Sequence, residues 1–249
     1  AQCLVGSEMC IRDSPEAELC GVYRHVGAGG TVMRPTQEGP AMIFNNIKGF
    51  PDARVVIGLL ASRKRVAMLL DAEPEKLGFL LNDAVLDPIP SVEVPAEEAL
   101  CQEVVHYATD EGFDIRALVP APTNTPEDAG PYITLGMCYA SDPETGESDV
   151  TIHRLCLQDK DEISIYMVPG ARHIGAFYEK AEKMGKPLPI SISIGVDPAI
   201  ELATCFEPPT TPLGYDELNV AGALRGEPVK MARCLTVDER CIANAEYVI

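Results

Sequence analysis

Between Asp149 and Gly222 the chain carries Asp149, His153, Arg154, His173 and Glu217, residue types that hold cations, move protons and grip anions. Aspartate, histidine and glutamate together form a hard, octahedral-leaning ligand set suited to Mg²⁺ or Mn²⁺, and phosphate oxygens can complete such a shell. His173 follows the turn Pro169-Gly170-Ala171-Arg172 at a predicted helix start. Free backbone N–H groups, the positive end of the helix dipole and Arg172 there favour a bound phosphate. By residue type alone, a capping or surface histidine accounts for His173 equally well, and a first-turn carboxylate favoured by the dipole accounts for Glu217. Asp149 and Arg154 stand five positions apart, so an uninterrupted strand puts them on opposite faces; a shared pocket would need a bulge or strand end. At about 3.3 Å per residue they lie up to about 16 Å apart, which fits opposite ends of one long ligand better than a mutual ion pair. A hairpin-end aspartate and a surface arginine without ligand duty fit as well.

Other chemistries lack their residues. The sequence has no G-x-G-x-x-G after a strand, no P-loop, no H-E-x-x-H and no G-x-S-x-G. His153 and Cys156 fall on opposite faces of one predicted strand, which argues against a nucleophilic dyad. Thirty-eight acidic against 20 basic residues give a net charge of −18, which repels phosphate backbones and anionic membranes, so nucleic acid is not an expected partner. A small anionic ligand responds instead to local cations such as Arg154 and Arg172. The nine cysteines are scattered without a C-x-x-C, and no secretory signal is evident, which predicts free thiols in a cytoplasmic protein. No apolar run approaches the roughly 20 residues of a membrane span.

The elements that must position these residues fall into two regions. Residues 1–14 resemble a translated adapter and are set aside; 15–117 form an expected N-terminal α/β domain, and 118–249 a strand-rich second domain. In the first, PAMIFNNIKGF and ARVVIGLL predict short strands, and Ser62 caps a helix. Further helices are predicted from about Pro74 to Asn82 and from Ala96 to Thr109, the latter with Leu100, Val104, Val105 and Ala108 on one face. The proline-rich stretch from Leu118 to Gly130 reads as a linker or entry loop. Beyond it PYITLGMCYA, DVTIHRLCLQ, EISIYMV and PISISIG predict strands, with SDPETGES as a hairpin turn. Ile174, Phe177, Tyr178, Ala181 and Met184 stripe a helix stopped by Gly185, Asp197-Pro198 opens a second, and Asp216 caps a third ending at Gly226. Asn244–Ile249 alternates like a strand and ends without a turn, as expected of an internal piece of a longer enzyme.

In their order along the chain, EGPAMIFNNIKGFPDARV, DAGPYITLG, DVTIHRLC, VPGARHIG, PISISIGVDPAIELA and GYDELNVAGALRGEP resemble the UbiD-like decarboxylases that use prenylated FMN, most closely those acting on gallate and related phenolic acids. The resemblance covers nearly all of residues 15–249. It implies an α+β protein in which the N-terminal α/β domain precedes an incomplete split β-barrel, akin to flavin reductases, with inserted helices.

By the same resemblance, Asp149, His173 and Glu217 hold Mn²⁺ against the cofactor phosphate, with K⁺ alongside; many relatives have Asn at the place of Asp149. Thr134, Thr151, Ile152, His153, Arg154, Arg172, His173 and Ile174 fall at cofactor-contacting positions. Arg154, beside the flavin ring, would grip the carboxylate of a small aromatic acid. The implied reaction is reversible, non-oxidative decarboxylation of a gallate- or protocatechuate-like acid. Loss of CO₂ leaves carbanion character on a ring carbon, so an electron-sink cofactor is required. A flavin prenyltransferase would supply that cofactor, and a homo-oligomer is the expected assembly. The family's further pair of glutamates, which completes the proton-donating network, has no counterpart up to Ile249, so the chain by itself is expected to be inactive. Decarboxylation of a prenylated hydroxybenzoate, a non-catalytic flavin- or metal-binding module, and a structural subunit are the alternatives.

Overall fold

The computed structural model describes residues 14–26, 39–167 and 173–249. The adapter-like segment up to residue 13, and the turn from Pro169 to Arg172, lie outside them. The described elements are, in chain order, α1 (Glu18–Val26), β1 (Met42–Phe44), β2 (Val55–Ile57), α2 (Arg63–Leu69), α3 (Leu77–Leu86), β3 (Val92–Glu93), α4 (Ile115–Leu118), β4 (Tyr132–Ser141), β5 (Ser148–Asp159), β6 (Glu162–Ile165), α5 (His173–Lys183), β7 (Ser191–Ile194), α6 (Pro198–Ala203), α7 (Leu218–Arg225), β8 (Lys230–Arg233), β9 (Arg240–Ile242) and β10 (Tyr247–Val248). This is a mixed α/β protein, and no closed barrel forms among the described residues.

The chain divides into two compact units. The first comprises residues up to Met68, His106–Ile133 and Leu155–Ser164. In it β1 and β2 pair antiparallel, Met42 opposite Ile57 and Phe44 opposite Val55. Leu19, Met42, Phe44 and Ile47 are buried together, with Tyr23, Phe50, Val55 and Ile57 packed against them. Ser62 caps α2 as expected, its Oγ accepting from Arg65 N at 3.4 Å. The proline-rich stretch after Leu118 is irregular but stitched in place. Ala17 N donates to Thr123 O at 2.6 Å, and the Asp128 carboxylate accepts from Asn124 N and Thr125 N.

The second unit comprises Leu69–Val105, Thr134–Arg154 and Ile165–Ile249. Its sheet runs β10, β7, β4 and the first half of β5, with Met137 opposite Ser193 and Tyr139 opposite Ser191. Met137 to Ala140 are all fully buried, so this part of β4 is covered on both faces and its apolar run is continuous instead of alternating. The hairpin between β4 and β5 closes as the sequence predicts: Asp142 N donates to Glu147 O, and the Asp142 side chain caps Glu144 N. Ile174, Phe177 and Ala181 of α5 are buried, and Lys180 is paired with Asp142, anchoring the helix beside that hairpin. Asp197 caps α6 through Ala199 N at 2.7 Å.

One helix is corrected. Ala96 to Thr109 does not form one helix; it holds two 3₁₀ turns, Ala96–Glu98 and Leu100–Gln102, followed by bends and loop. Its expected inward stripe finds no cover, since Leu100 is 66% and Val104 71% exposed. The Cys101 peptide N–H donates to Ala243 O instead of a helical acceptor, and the Gln102 side-chain amide donates to Arg233 O. Those tertiary acceptors outcompete a helix that crowds Glu97, Glu98 and Glu103 and carries two adjacent β-branched valines, Val104 and Val105. The helix expected from Pro74 starts at Leu77, after a turn in which Lys76 N donates to Glu73 O, and runs on to Leu86.

Helix α7, which carries Glu217 at its N-terminal end, is held very close to the chain after α3. Ile89 N donates to Asn219 O, Ser91 N to the Asn219 side chain and the Tyr215 hydroxyl to Val85 O. A Cβ added at Gly222 would sit 2.6 Å from Ile89 O. Alanine there gains up to about 1 kcal/mol of helix propensity. The clash is with backbone that cannot swing away, at a cost of roughly 1–3 kcal/mol, so the clash dominates. Gly222→Ala is therefore expected to lower stability in urea unfolding, whereas alanine at an unencumbered helical glycine raises it.

Candidate functional site

Strand β5 is buried on both parities from Asp149 to Leu157, apart from Ile152 and Arg154. Asp149, Thr151 and His153 are buried, at 2%, 6% and 8% exposure, whereas Arg154 of the opposite parity is exposed. The strand is not interrupted between Asp149 and Arg154, so the structure does not bring the two to one face. Thr151 Oγ1 donates to Asp149 Oδ2 at 2.6 Å. The start of α5 places His173 Nδ1 3.0 Å from Asp149 Oδ1. The start of α7 delivers Glu217, only 2% exposed. Asp149, His173 and Glu217 thus offer ligand atoms that all lie within 4.8 Å of one another, the one such metal-capable group among the described residues.

The electrostatics of this group are unbalanced. Glu217 Oε2 is buried with no hydrogen-bond partner. Burial, and then the neighbouring Asp149 carboxylate, hold the Glu217 carboxyl well above the usual carboxylate range. Two buried carboxyl groups and an imidazole around an unpartnered oxygen fit a divalent cation, which would neutralise the pair and fill the missing contact.

A second network, not anticipated from the sequence, sets the spacing of these groups. Asp216 Oδ1 accepts from Leu218 N at 2.9 Å, the expected cap. Its Oδ2 accepts from Ser148 Oγ at 2.8 Å and, at a longer 3.5 Å, from the Tyr139 hydroxyl. Arg240 donates to that hydroxyl and lies over the ring, 5.4 Å from its centre. Burial pushes the Tyr139 phenol up, so it remains a donor. Because Ser148 adjoins Asp149 and Asp216 adjoins Glu217, one hydrogen bond ties the two carboxylate-bearing backbones together. Separations of 68, 77 and 101 residues leave no local signal for it.

The remaining predicted positions are dispersed. Thr134 is exposed on β4, Ile152 is half-buried, and Ile174 is fully buried in the α5 core. Arg172 lies outside the described residues.

Comparison with known proteins places this arrangement. Residues 92–249 match the 3-octaprenyl-4-hydroxybenzoate carboxy-lyase Rift-related domain, and residues 12–85 match the N-terminal domain of the same enzymes. The chain belongs to the UbiD family. Among UbiD relatives, gallate decarboxylase of Lactiplantibacillus plantarum is 57% identical over 242 residues, covering 97% of this chain and 49% of that protein. The apo crystal structure of Klebsiella pneumoniae 3,4-dihydroxybenzoic acid decarboxylase (AroY) superposes with a TM-score of 0.87 at 56% identity, over 95% of this chain and 48% of that one. HmfF from Pelotomaculum thermopropionicum, a UbiD-class enzyme in complex with prFMN, gives a TM-score of 0.83 at 34% identity, over 95% and 51% of the two chains. The chain thus spans about half the length of the UbiD relatives it matches.

Two measurements check this geometry. A carboxyl whose folded-state value is raised binds its proton more tightly when folded, so its contribution to stability is present at low pH. That contribution is lost as pH rises from the unfolded value of 4.5 through the raised folded one. In metal-free buffer, Glu217→Gln is expected to remove this downward slope, read from urea unfolding at a series of pH values. Ser148→Ala deprives the half-buried Asp216 of one donor and is expected to lower stability by roughly 1 kcal/mol.

Proposed function

We propose that this chain is the cofactor- and metal-binding portion of an aromatic-acid decarboxylase acting on gallate, 3,4-dihydroxybenzoate or a close relative. The observation that carries the reading is the buried Asp149, His173 and Glu217 group with its unpartnered carboxylate oxygen, in a chain 57% identical to gallate decarboxylase. In this reading the second unit contributes to an incomplete split β-barrel that binds prenylated FMN. Asp149, His173 and Glu217 hold Mn²⁺ against the cofactor phosphate, with K⁺ nearby. Thr134, Thr151, Ile152, His153, Arg172, His173 and Ile174 contact the cofactor. A flavin prenyltransferase supplies it, and the working enzyme is a cytoplasmic homo-oligomer.

Bound prenylated FMN would supply the electron sink for the ring carbon that loses CO₂. The chain's own residues do the rest of the binding. Arg154, exposed on the parity opposite to Asp149, is free to reach a different part of the ligand from the metal group. Its planar guanidinium would grip the substrate carboxylate bidentately and hold it in register. His173 and Thr151 orient Asp149 by direct hydrogen bonds, and the Ser148–Asp216 contact fixes Asp149 relative to Glu217. The acid that returns a proton to carbon is assigned to the segment that relatives carry beyond the matched half.

Loaded with prenylated FMN and Mn²⁺, the purified chain is expected to bind both without releasing CO₂. Glu217→Gln should weaken Mn²⁺ binding at least about 10-fold in an electron paramagnetic resonance titration. Extended through the remaining half of its relatives, the protein should release CO₂ from gallate or 3,4-dihydroxybenzoate, and Arg154→Ala should abolish that release with the flavin still bound. Release by the 249-residue chain alone, or unchanged turnover in Arg154→Ala, would overturn these assignments. Flavin binding without turnover in the extended protein would favour a non-catalytic module. Preference for a prenylated hydroxybenzoate would move the substrate to the class named for the matched domain.

A further inference from the structure

Three thiols converge well apart in sequence from the metal group and outside its chemistry. Cys101 lies in the second 3₁₀ turn, Cys241 in β9, and Cys234 directly after β8. Cys101 N donates to Ala243 O at 3.0 Å, which brings the turn alongside β9. The Cys101 and Cys241 sulfurs are then 3.9 Å apart. Cys241 is 1% exposed, whereas Cys101 is only half-buried. Ala99, Ala232 and Ala243 pack around Cys241, so small side chains surround the pair.

We propose that Cys101 and Cys241 form a dithiol that hydrogen peroxide closes reversibly to a disulfide. The inference is independent of the decarboxylase reading. A disulfide needs the sulfurs about 2.05 Å apart, and the remaining approach of about 2 Å is within reach of side-chain rotation at two cysteines. The roles divide by environment. The sulfur–sulfur contact with Cys241 lowers the Cys101 thiol, which is also the more accessible of the two. Contacts with Cys101 and Cys234, and then burial, keep Cys241 protonated, and its S–H donates to Ala232 O at 3.6 Å. Cys234 is lowered by its own contact with Cys241, but burial and then the Glu239 carboxylate oppose its ionisation, which favours Cys101 as the attacking thiolate.

The chemistry balances with peroxide as the only oxidant. Cys101 thiolate attacks one peroxide oxygen, the O–O bond breaks, and the departing hydroxide takes a proton to become water. Cys101 is left as a sulfenic acid. The Cys241 sulfur then attacks the sulfenic sulfur as its own proton leaves with the displaced hydroxide, giving the disulfide and a second water. Two thiols lose two electrons, and one peroxide gains them.

The test exposes the purified chain to stoichiometric hydrogen peroxide, blocks free thiols with an alkylating agent and maps the non-reduced peptides by mass spectrometry. The expected result is loss of two of the nine thiols, a single cross-link joining Cys101 to Cys241, and full recovery with dithiothreitol. Cys101→Ser should abolish the cross-link while circular dichroism stays unchanged, and Cys234→Ser should retain it. A cross-link from Cys241 to Cys234, oxygen addition without any cross-link, or no loss of thiols would overturn the proposal. The wild-type map and the Cys234→Ser variant decide the matter even where Cys101→Ser fails to fold.

Discussion

Two carboxyl groups buried against each other, Asp149 and Glu217, are the constraint around which the second unit is arranged. Taking even one carboxylate out of water costs several kcal/mol unless it is paired, and two in contact also repel. Asp149 is satisfied by Thr151 from its own strand and by His173 from the start of α5. Glu217 keeps an oxygen without a partner and holds its proton more tightly instead. A group that stores this much unfavourable electrostatics in a packed interior is poised for a cation, and its burial is what distinguishes it from surface acids.

Holding such a group requires stiffness in the elements that deliver it. The Asp216 side chain caps α7 and simultaneously bonds Ser148, so the helix start and the strand start cannot separate without losing a part-buried hydrogen bond. Tyr139 and Arg240 back that aspartate from β4 and β9. On its other side α7 approaches the Ile89 backbone so closely that only glycine fits at position 222. The proposed function would give this arrangement a chemical purpose, with a divalent ion held by the buried group at one end of a flavin and Arg154, on the other parity of β5, reaching a different part of the ligand.

Much of the local structure was legible because its signals are short-range. Ser62, Asp197 and Asp216 cap the helices that follow them, Gly226 ends α7 in the left-handed region, and the Asp142–Glu147 turn closes the hairpin. The stretch after Pro95 departs from the expected helix because its apolar stripe has nothing to bury against, and the Ala243 carbonyl, just past β9, captures the Cys101 amide. The cysteines gave no hint of convergence, since their spacing of 140 residues carries no information about the 3.9 Å between their sulfurs.

The sequence by itself determined the donor types of the candidate metal group, the parity that separates Asp149 from Arg154, the strand and helix starts that carry them, and, through its motif blocks, the family. Each of these follows from local periodicity, capping chemistry or residue order, which are properties of a few neighbouring positions. Only the tertiary structure decided that Asp149, His173 and Glu217 meet within 4.8 Å, that Glu217 is left with an orphaned oxygen, and that Ser148 and Asp216 lock their neighbours together. Those facts depend on how β5, α5 and α7 pack. Packing is set by the summed burial of residues far apart in the chain, not by any local pattern.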